Sequence, residues 1–216
     1  MVYAFSLWFL RRFLGAYMPA RVSGTVPSGG VILAGNHPTI LDGLVVGTYT
    51  PRKVRFLVFA DMLRIPVLGW WLRALGFLPA GCLDEAVACL ERGECVAIFP
   101  EGTNTHSYEL REFRRGVAVL AVRSGCPVVP FGLRGTEELC PGDAAFVRGG
   151  PLALSFGSPL WLSEVSAEPV RTAVASQLRS LSAPAGHSCA WLGWFVKPLT
   201  WLLLALADRA GFKGRR

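Results

Sequence analysis

The chain has 216 residues, enough for one domain with a substantial core, and it carries no internal repeat or low-complexity segment. Hydrophobic residues make up 52% and charged residues 17%, which argues against a purely soluble surface and for a face turned to lipid. The net charge of +7 asks for an anionic partner; Lys and Arg flank apolar ends rather than forming one basic stripe, so an anionic bilayer is expected and nucleic acid is not.

The first segment, Met1 to Leu14, is apolar with Arg11 and Arg12 after its apolar run and no small-residue cleavage site, unlike a secretory signal. It is too short to span a bilayer. Phe5, Trp8, Phe9, Arg12 and Phe13 follow helical spacing, as in a helix lying in the membrane interface. The plainer alternative is a helix docked on the protein's own core.

Val31-Ile32-Leu33-Ala34 is an apolar run of strand type between Gly30 and Gly35. Asn36-His37-Pro38 then forms a loop at the strand end. Pro38 disfavours helix at His37 and suits the first turn of a helix, expected over about 39–46. A strand is expected over 54–59 and an apolar helix carrying Trp70 and Trp71 over 66–75, on the acyl or membrane side. A helix over 83–92 stops at Gly93, and 94–99 reads as a buried strand ended by Pro100.

Residues 113–124 place Phe113, Val117, Leu120 and Ala121 at helical spacing, with Gly125 as the stop. Strands are expected over 128–133 and 152–156, with a Gly-containing loop over 135–150 between them. A last amphipathic helix covers 166–181. Strands separated by helices predict an α/β fold: a mostly parallel central sheet flanked by helices, with apolar N- and C-terminal membrane-associated helices.

Residues 180–188 read as a hinge, and 189–207 are mostly apolar, with Lys197-Pro198 near the middle. A central Lys costs about 2.5–3.5 kcal/mol in a spanning helix. Two short interfacial helices are therefore expected instead, and the basic tail Arg209 to Arg216 points to a cytoplasmic face. The chain thus divides into 1–20, an interfacial helix; 21–182, the α/β domain; and 183–216, a hydrophobic anchor. A monotopic association is favoured over a transmembrane one. The six Cys form no C-x-x-C pair, and several lie inside apolar elements, as expected for reduced thiols of a cytoplasmic compartment.

Two polar clusters follow apolar strands. In the first, Asp42 stands five residues after His37, within reach of its ring across one turn. A carboxylate there would keep one ring nitrogen protonated and leave the other free as a base. The plainer alternative makes Asp42 a helix-start carboxylate in a capping loop. In the second, Phe99-Pro100-Glu101-Gly102-Thr103 follows a buried strand. Ligands of open α/β sheets bind outside the carboxyl ends of strands, where both clusters should meet. Here the alternative is a turn with a solvated Glu101. A metal site of His37, Asp42, Glu101 and His106 lacks zinc-type spacing, so no metal is expected; His106 and His187 read as solvated loop residues.

The order Asn-His-x-x-x-x-Asp, Phe-Pro-Glu-Gly-Thr, then Pro-Val-Val-Pro resembles the glycerolipid acyltransferases, the 1-acylglycerol-3-phosphate and lysophospholipid acyltransferase superfamily. Its four blocks would fall at 36–42, 76–81, 99–105 and 127–131, within a resemblance covering about 22–160. The resemblance implies a membrane-associated acyltransferase. His37 would be the general base and Asp42 its orienting partner. Asn36, Glu101, Gly102, Thr103 and Asn104 would bind the acceptor, a lysophospholipid or related lysolipid. The donor would be an acyl thioester, on coenzyme A or acyl carrier protein, used as co-substrate without a resident cofactor. No acyl-enzyme is implied, because the motif holds no Ser or Cys nucleophile.

The third block of the family usually continues with Arg where this chain has Asn104, and the second usually ends in a basic residue that 76–81 lacks. An Arg fork suits phosphate, so an acceptor less dependent on a phosphomonoester than lysophosphatidic acid fits these departures. Arg111, Arg114 and Arg115 are candidate replacements; alternatively, they are a solvated helix start. A lipid hydrolase or a coenzyme-independent transacylase could use the same His and Asp. A non-catalytic membrane-binding protein of the same fold is the third class.

Overall fold

The computed structural model describes residues 8, 11–12, 14–140 and 149–182. Seven strands form one sheet: β1 (Ala20–Ser23), β2 (Val31–Gly35), β3 (Val54–Val58), β4 (Leu78–Pro79), β5 (Cys95–Ile98), β6 (Val128–Arg134) and β7 (Leu152–Phe156). Their order is β1-β7-β6-β2-β5-β3-β4. Every neighbouring pair is parallel except β6 and β7. The mostly parallel α/β sheet expected from the alternating pattern is thus present.

The strands sort their side chains by the two-residue period. Val31 and Leu33 of β2, Cys95 and Ala97 of β5, and Val129, Phe131 and Leu133 of β6 enter one core. Ile32, Ala34, Val96 and Val128 enter the other. Strands buried on both faces are apolar throughout, which is why β2 and β5 read as continuous runs. Helices cover both sides. Val45 and Val46 of α1 (Asp42–Tyr49) pack on the first core. The second takes α4 (Leu83–Glu91), α5 (Gly116–Ser124) and α7 (Glu168–Ser180).

Several boundaries differ from expectation. α1 starts at Asp42 rather than near 39, because 39–41 are folded into a turn. α5 starts at Gly116, and Phe113 is buried in the segment before it. The expected helix over 66–75 is present as α3 (Leu68–Leu75); before it, across an elbow, stands a short helix that was not expected, α2 (Ala60–Arg64). The expected loop over 135–150 begins with a helical turn, α6 (Thr136–Leu139), entered through Gly135 at φ 103°; residues 141–148 lie outside the described part.

The expected apolar terminal helices are not supported by the described fold. Leu14 and Met18 are buried in the first core, and the Arg11 guanidinium donates to the carbonyls of Thr48 (3.0 Å) and Thr50 (3.1 Å). That part of the N-terminal segment therefore docks on the domain rather than lying free in an interface. Phe5, Phe9, Phe13, the C-terminal segment 183–216, Cys189 and His187 lie outside the described residues. Among the described residues no helix is long and apolar enough to cross a membrane. The five described cysteines are free thiols.

Candidate active site

β2 and β5 are parallel neighbours in register, Ala34 opposite Ile98, so the loops leaving their carboxyl ends emerge side by side. Both polar clusters therefore share the edge where open α/β sheets bind ligands.

Asn36 fixes the first loop. Its amide donates to the Leu133 carbonyl at 2.8 Å and accepts the Leu133 N–H at 2.9 Å, so it extends the β2–β6 ladder by one side chain. It is 1% exposed. Expected at the substrate, Asn36 is instead committed to β6 through both ends of its amide.

His37 follows. Its Nδ1 lies 2.8 Å from Asp42 Oδ2. The same Oδ2 accepts the Thr39 N–H at 2.8 Å, and Oδ1 accepts the Thr39 hydroxyl at 3.1 Å. Asp42 is fully buried. A carboxylate among these donors accepts from Nδ1–H, which fixes the imidazole tautomer with Nε2 as the lone-pair nitrogen. No described protein group is hydrogen-bonded to Nε2, and the His37 side chain is 18% exposed. Thr39 and Asp42 stand at Thr-x-x-Asp spacing, and the Asp42 carboxylate accepts the Thr39 N–H, although the N-cap of α1 is Leu41 and carries no side-chain cap bond. One carboxylate thus closes the turn that leads into α1 and holds the ring.

The second loop holds His37 from the other side. Glu101 is 4% exposed, which excludes the solvated-turn reading. Its Oε1 accepts the His37 backbone N–H at 3.0 Å and Oε2 accepts the Arg111 N–H at 3.1 Å. Burial pushes the Glu101 carboxyl above its ordinary range, while the two N–H bonds and nearby His37 pull it back. The imidazole stacks on Phe99, with ring centroids 4.0 Å apart and planes 16° apart. The Thr105 N–H donates to the His37 carbonyl and the His106 N–H to the Pro38 carbonyl, both at 3.0 Å. His106 is exposed, as expected.

Thr103 is exposed and Asn104 half-buried, and neither side chain bonds to a described protein group. Gly102 has φ +72°, and a Cβ there would lie 2.6 Å from Arg114 Nε. The Arg114 guanidinium thus lies against the backbone of the Glu101-Gly102 turn, and the Arg114 backbone N–H donates to the Pro100 carbonyl at 2.9 Å. Arg114 and Arg115 are exposed and have no ion-pair partner among the described residues. Arg114 is brought to the second loop; Arg115 stands at the cap of α5. No group of three or more His, Cys, Asp or Glu among the described residues could hold a metal ion.

Three roles were not legible: Phe99 as the stacking platform, Arg111 as a backbone donor rather than a cation, and Thr39 as the clamp on Asp42. Only Thr39 carried a signal, its Thr-x-x-Asp spacing to Asp42.

The Acyltransferase family model matches residues 19–134. A chloroplastic 1-acyl-sn-glycerol-3-phosphate acyltransferase of Brassica napus is 25% identical over 70% of this chain and 47% of its own length. An uncharacterized protein of Mycobacterium leprae is 34% identical over 62% of this chain and 41% of its own length. The chain thus spans less than half of either relative. A 1-acyl-sn-glycerol-3-phosphate acyltransferase of Pseudomonas aeruginosa is 26% identical over 76% of this chain and 74% of its own. The crystal structure of the 1-acyl-sn-glycerophosphate acyltransferase PlsC from Thermotoga maritima shares the fold, with TM-score 0.66 at 22% identity over 82% of this chain and 78% of that one. The chain belongs to the acyltransferase family.

Proposed function

We propose that this protein transfers an acyl chain from a thioester, on coenzyme A or acyl carrier protein, to the hydroxyl of a lysophospholipid or related lysolipid. The contact between His37 Nδ1 and Asp42, at a sheet edge shared with the Glu101 loop, carries this reading. Its Nε2 accepts the proton of the acceptor hydroxyl while that oxygen forms a bond to the thioester carbonyl carbon. The tetrahedral intermediate then collapses. The C–S bond breaks and the proton passes from His37 to the leaving thiolate. No acyl-enzyme forms, and no resident cofactor takes part.

The acceptor's position rests on the second loop. Gly102, Thr103 and Asn104 border it, and the Arg114 guanidinium offers a fork for an anionic headgroup in place of the Arg missing at Asn104. Glu101 acts through the backbone of His37, as a positioning residue rather than a ligand. The enzyme works on the cytoplasmic face of an anionic membrane as a monotopic protein, with 21–182 as the catalytic domain.

Donor dependence tests the reaction class. With labelled lysolipid in mixed micelles, diacyl product should form only when acyl thioester is present. Release of free fatty acid without a thioester would make the protein a hydrolase, and acyl exchange between lipids a transacylase.

A further inference from the structure

The α2–α3 elbow combines backbone strain with outward apolar side chains. Val67 has φ 65° and ψ −57°, and the Leu68 N–H donates to the Pro66 carbonyl across it at 2.7 Å. This is a γ-turn of the rare, strained hand, at a β-branched residue. Such a backbone persists only where its surroundings impose it. Here they do: Leu63, Ile65, Leu72 and Leu75 are buried, and Gly69 packs so closely that a Cβ would lie 2.0 Å from the Leu63 carbonyl oxygen. Yet the strain buries nothing at its apex. Val67 is 80% exposed and Trp70, three residues on, is 64% exposed.

Cations flank this tip. Arg64 precedes Val67 by three residues and Arg73 follows Trp70 by three. Arg64 shares an exposed ion pair with Asp61 at 3.1 Å, whereas Arg73 has no partner among the described residues. Arg64 and Arg73 border a cleft of about 310 Å³ with Leu63, Phe77 and Glu85. Phe77 stacks on Phe56 (5.2 Å), Phe56 on Phe99 (6.4 Å), and Phe99 on His37 (4.0 Å). A chain of packed rings, with Phe56 in the buried core, thus links the elbow cleft to the candidate base.

We infer that Val67 and Trp70 seat in the surface of an anionic lipid bilayer, with Arg64 and Arg73 at headgroup level. An apolar side chain and a Trp belong below the headgroups and Arg among the phosphates. The inference rests on the membrane association proposed above.

The test is flotation of the full chain with vesicles of phosphatidylcholine alone and of phosphatidylcholine with phosphatidylglycerol. Val67→Gly with Trp70→Gln should weaken partitioning about tenfold. Arg73→Gln should weaken it about fivefold on the anionic vesicles and leave the neutral ones unchanged. Val67→Gly alone should raise Tm while lowering partitioning, because glycine adopts this backbone freely; a purely structural elbow would not separate the two. If the wild type binds vesicles and the double variant binds within about twofold of it, the elbow inference falls and membrane association stands. If the wild type does not bind, the membrane reading itself falls. If the wild type self-associates and the double variant does not, the tip is a protein interface and the inference is overturned.

Discussion

Glu101 holds His37 by its backbone N–H, at 3.0 Å, and not by its ring. The loop after β5 thereby fixes where the loop after β2 presents its imidazole. The ring itself answers to Asp42 on one edge and Phe99 on one face. Position and tautomer are thus set by separate residues.

Burial gives Glu101 a pH signature. Its folded-state carboxyl keeps the proton above the ordinary value of 4.5, so folding favours the protonated form. That contribution is full below 4.5 and is lost as pH rises through the folded value. Wild-type stability minus that of Glu101→Gln should therefore fall with rising pH, by at most about 1.4 kcal/mol per pH unit. Urea unfolding from about pH 4.5 upward measures it, and a difference that grows with pH contradicts the assignment.

Asp42→Asn should lower kcat about 10²–10⁴-fold. An NH₂ in place of Oδ2 would face two donors, the Nδ1–H of His37 and the N–H of Thr39; in place of Oδ1 it would face the Thr39 hydroxyl, now aimed at it as a donor. The same mismatch, in a buried position, should cost about 1–3 kcal/mol of stability. Steady-state kinetics and denaturant unfolding check the two effects independently.

Thr39→Val should reduce kcat with little change in KM, since Thr39 acts only through Asp42. Its hydroxyl donates to Asp42 Oδ1 and accepts the Leu41 N–H at 3.2 Å. Removing it leaves that N–H without an acceptor, at about 1–3 kcal/mol. Thr39→Ser keeps both bonds and should restore kcat.

Arg114→Ala should raise KM for a phosphate-bearing lysolipid about tenfold or more and leave kcat nearly intact, through loss of a charge-assisted contact. Gly102→Ala should raise KM as well, because its Cβ would meet the Arg114 guanidinium, and should cost about 1–3 kcal/mol for the positive φ. A fall in kcat alone for Arg114→Ala would place that side chain elsewhere in the reaction.

The central strands were legible because burial on both faces leaves a continuous apolar run, as in β2, β5 and β7. The edge strands were not. β1 is short and largely exposed, and β4 is a Leu-Pro pair. α6 was hidden behind Gly135, which reads as loop but enters a helical turn. Within the site, His37, Asp42 and Glu101 could be paired because each follows an apolar strand. The role of Asn36 could not, since its partner Leu133 lies 97 residues away and offers only backbone groups, which have no sequence signature. The backbone role of Arg111, a candidate for its charge, escaped for the same reason: it contributes an N–H there, not its guanidinium.

The most direct test of the central claim compares wild type with His37→Ala for acyl-thioester consumption in lipid micelles, across a panel of lysolipid acceptors. The account predicts that one lysolipid class drives consumption by the wild type and that His37→Ala, still folded, loses it by at least about 10²-fold. Equal turnover in the folded variant would contradict His37 as the base. Failure of every lysolipid to drive consumption by folded wild type would contradict the acceptor class.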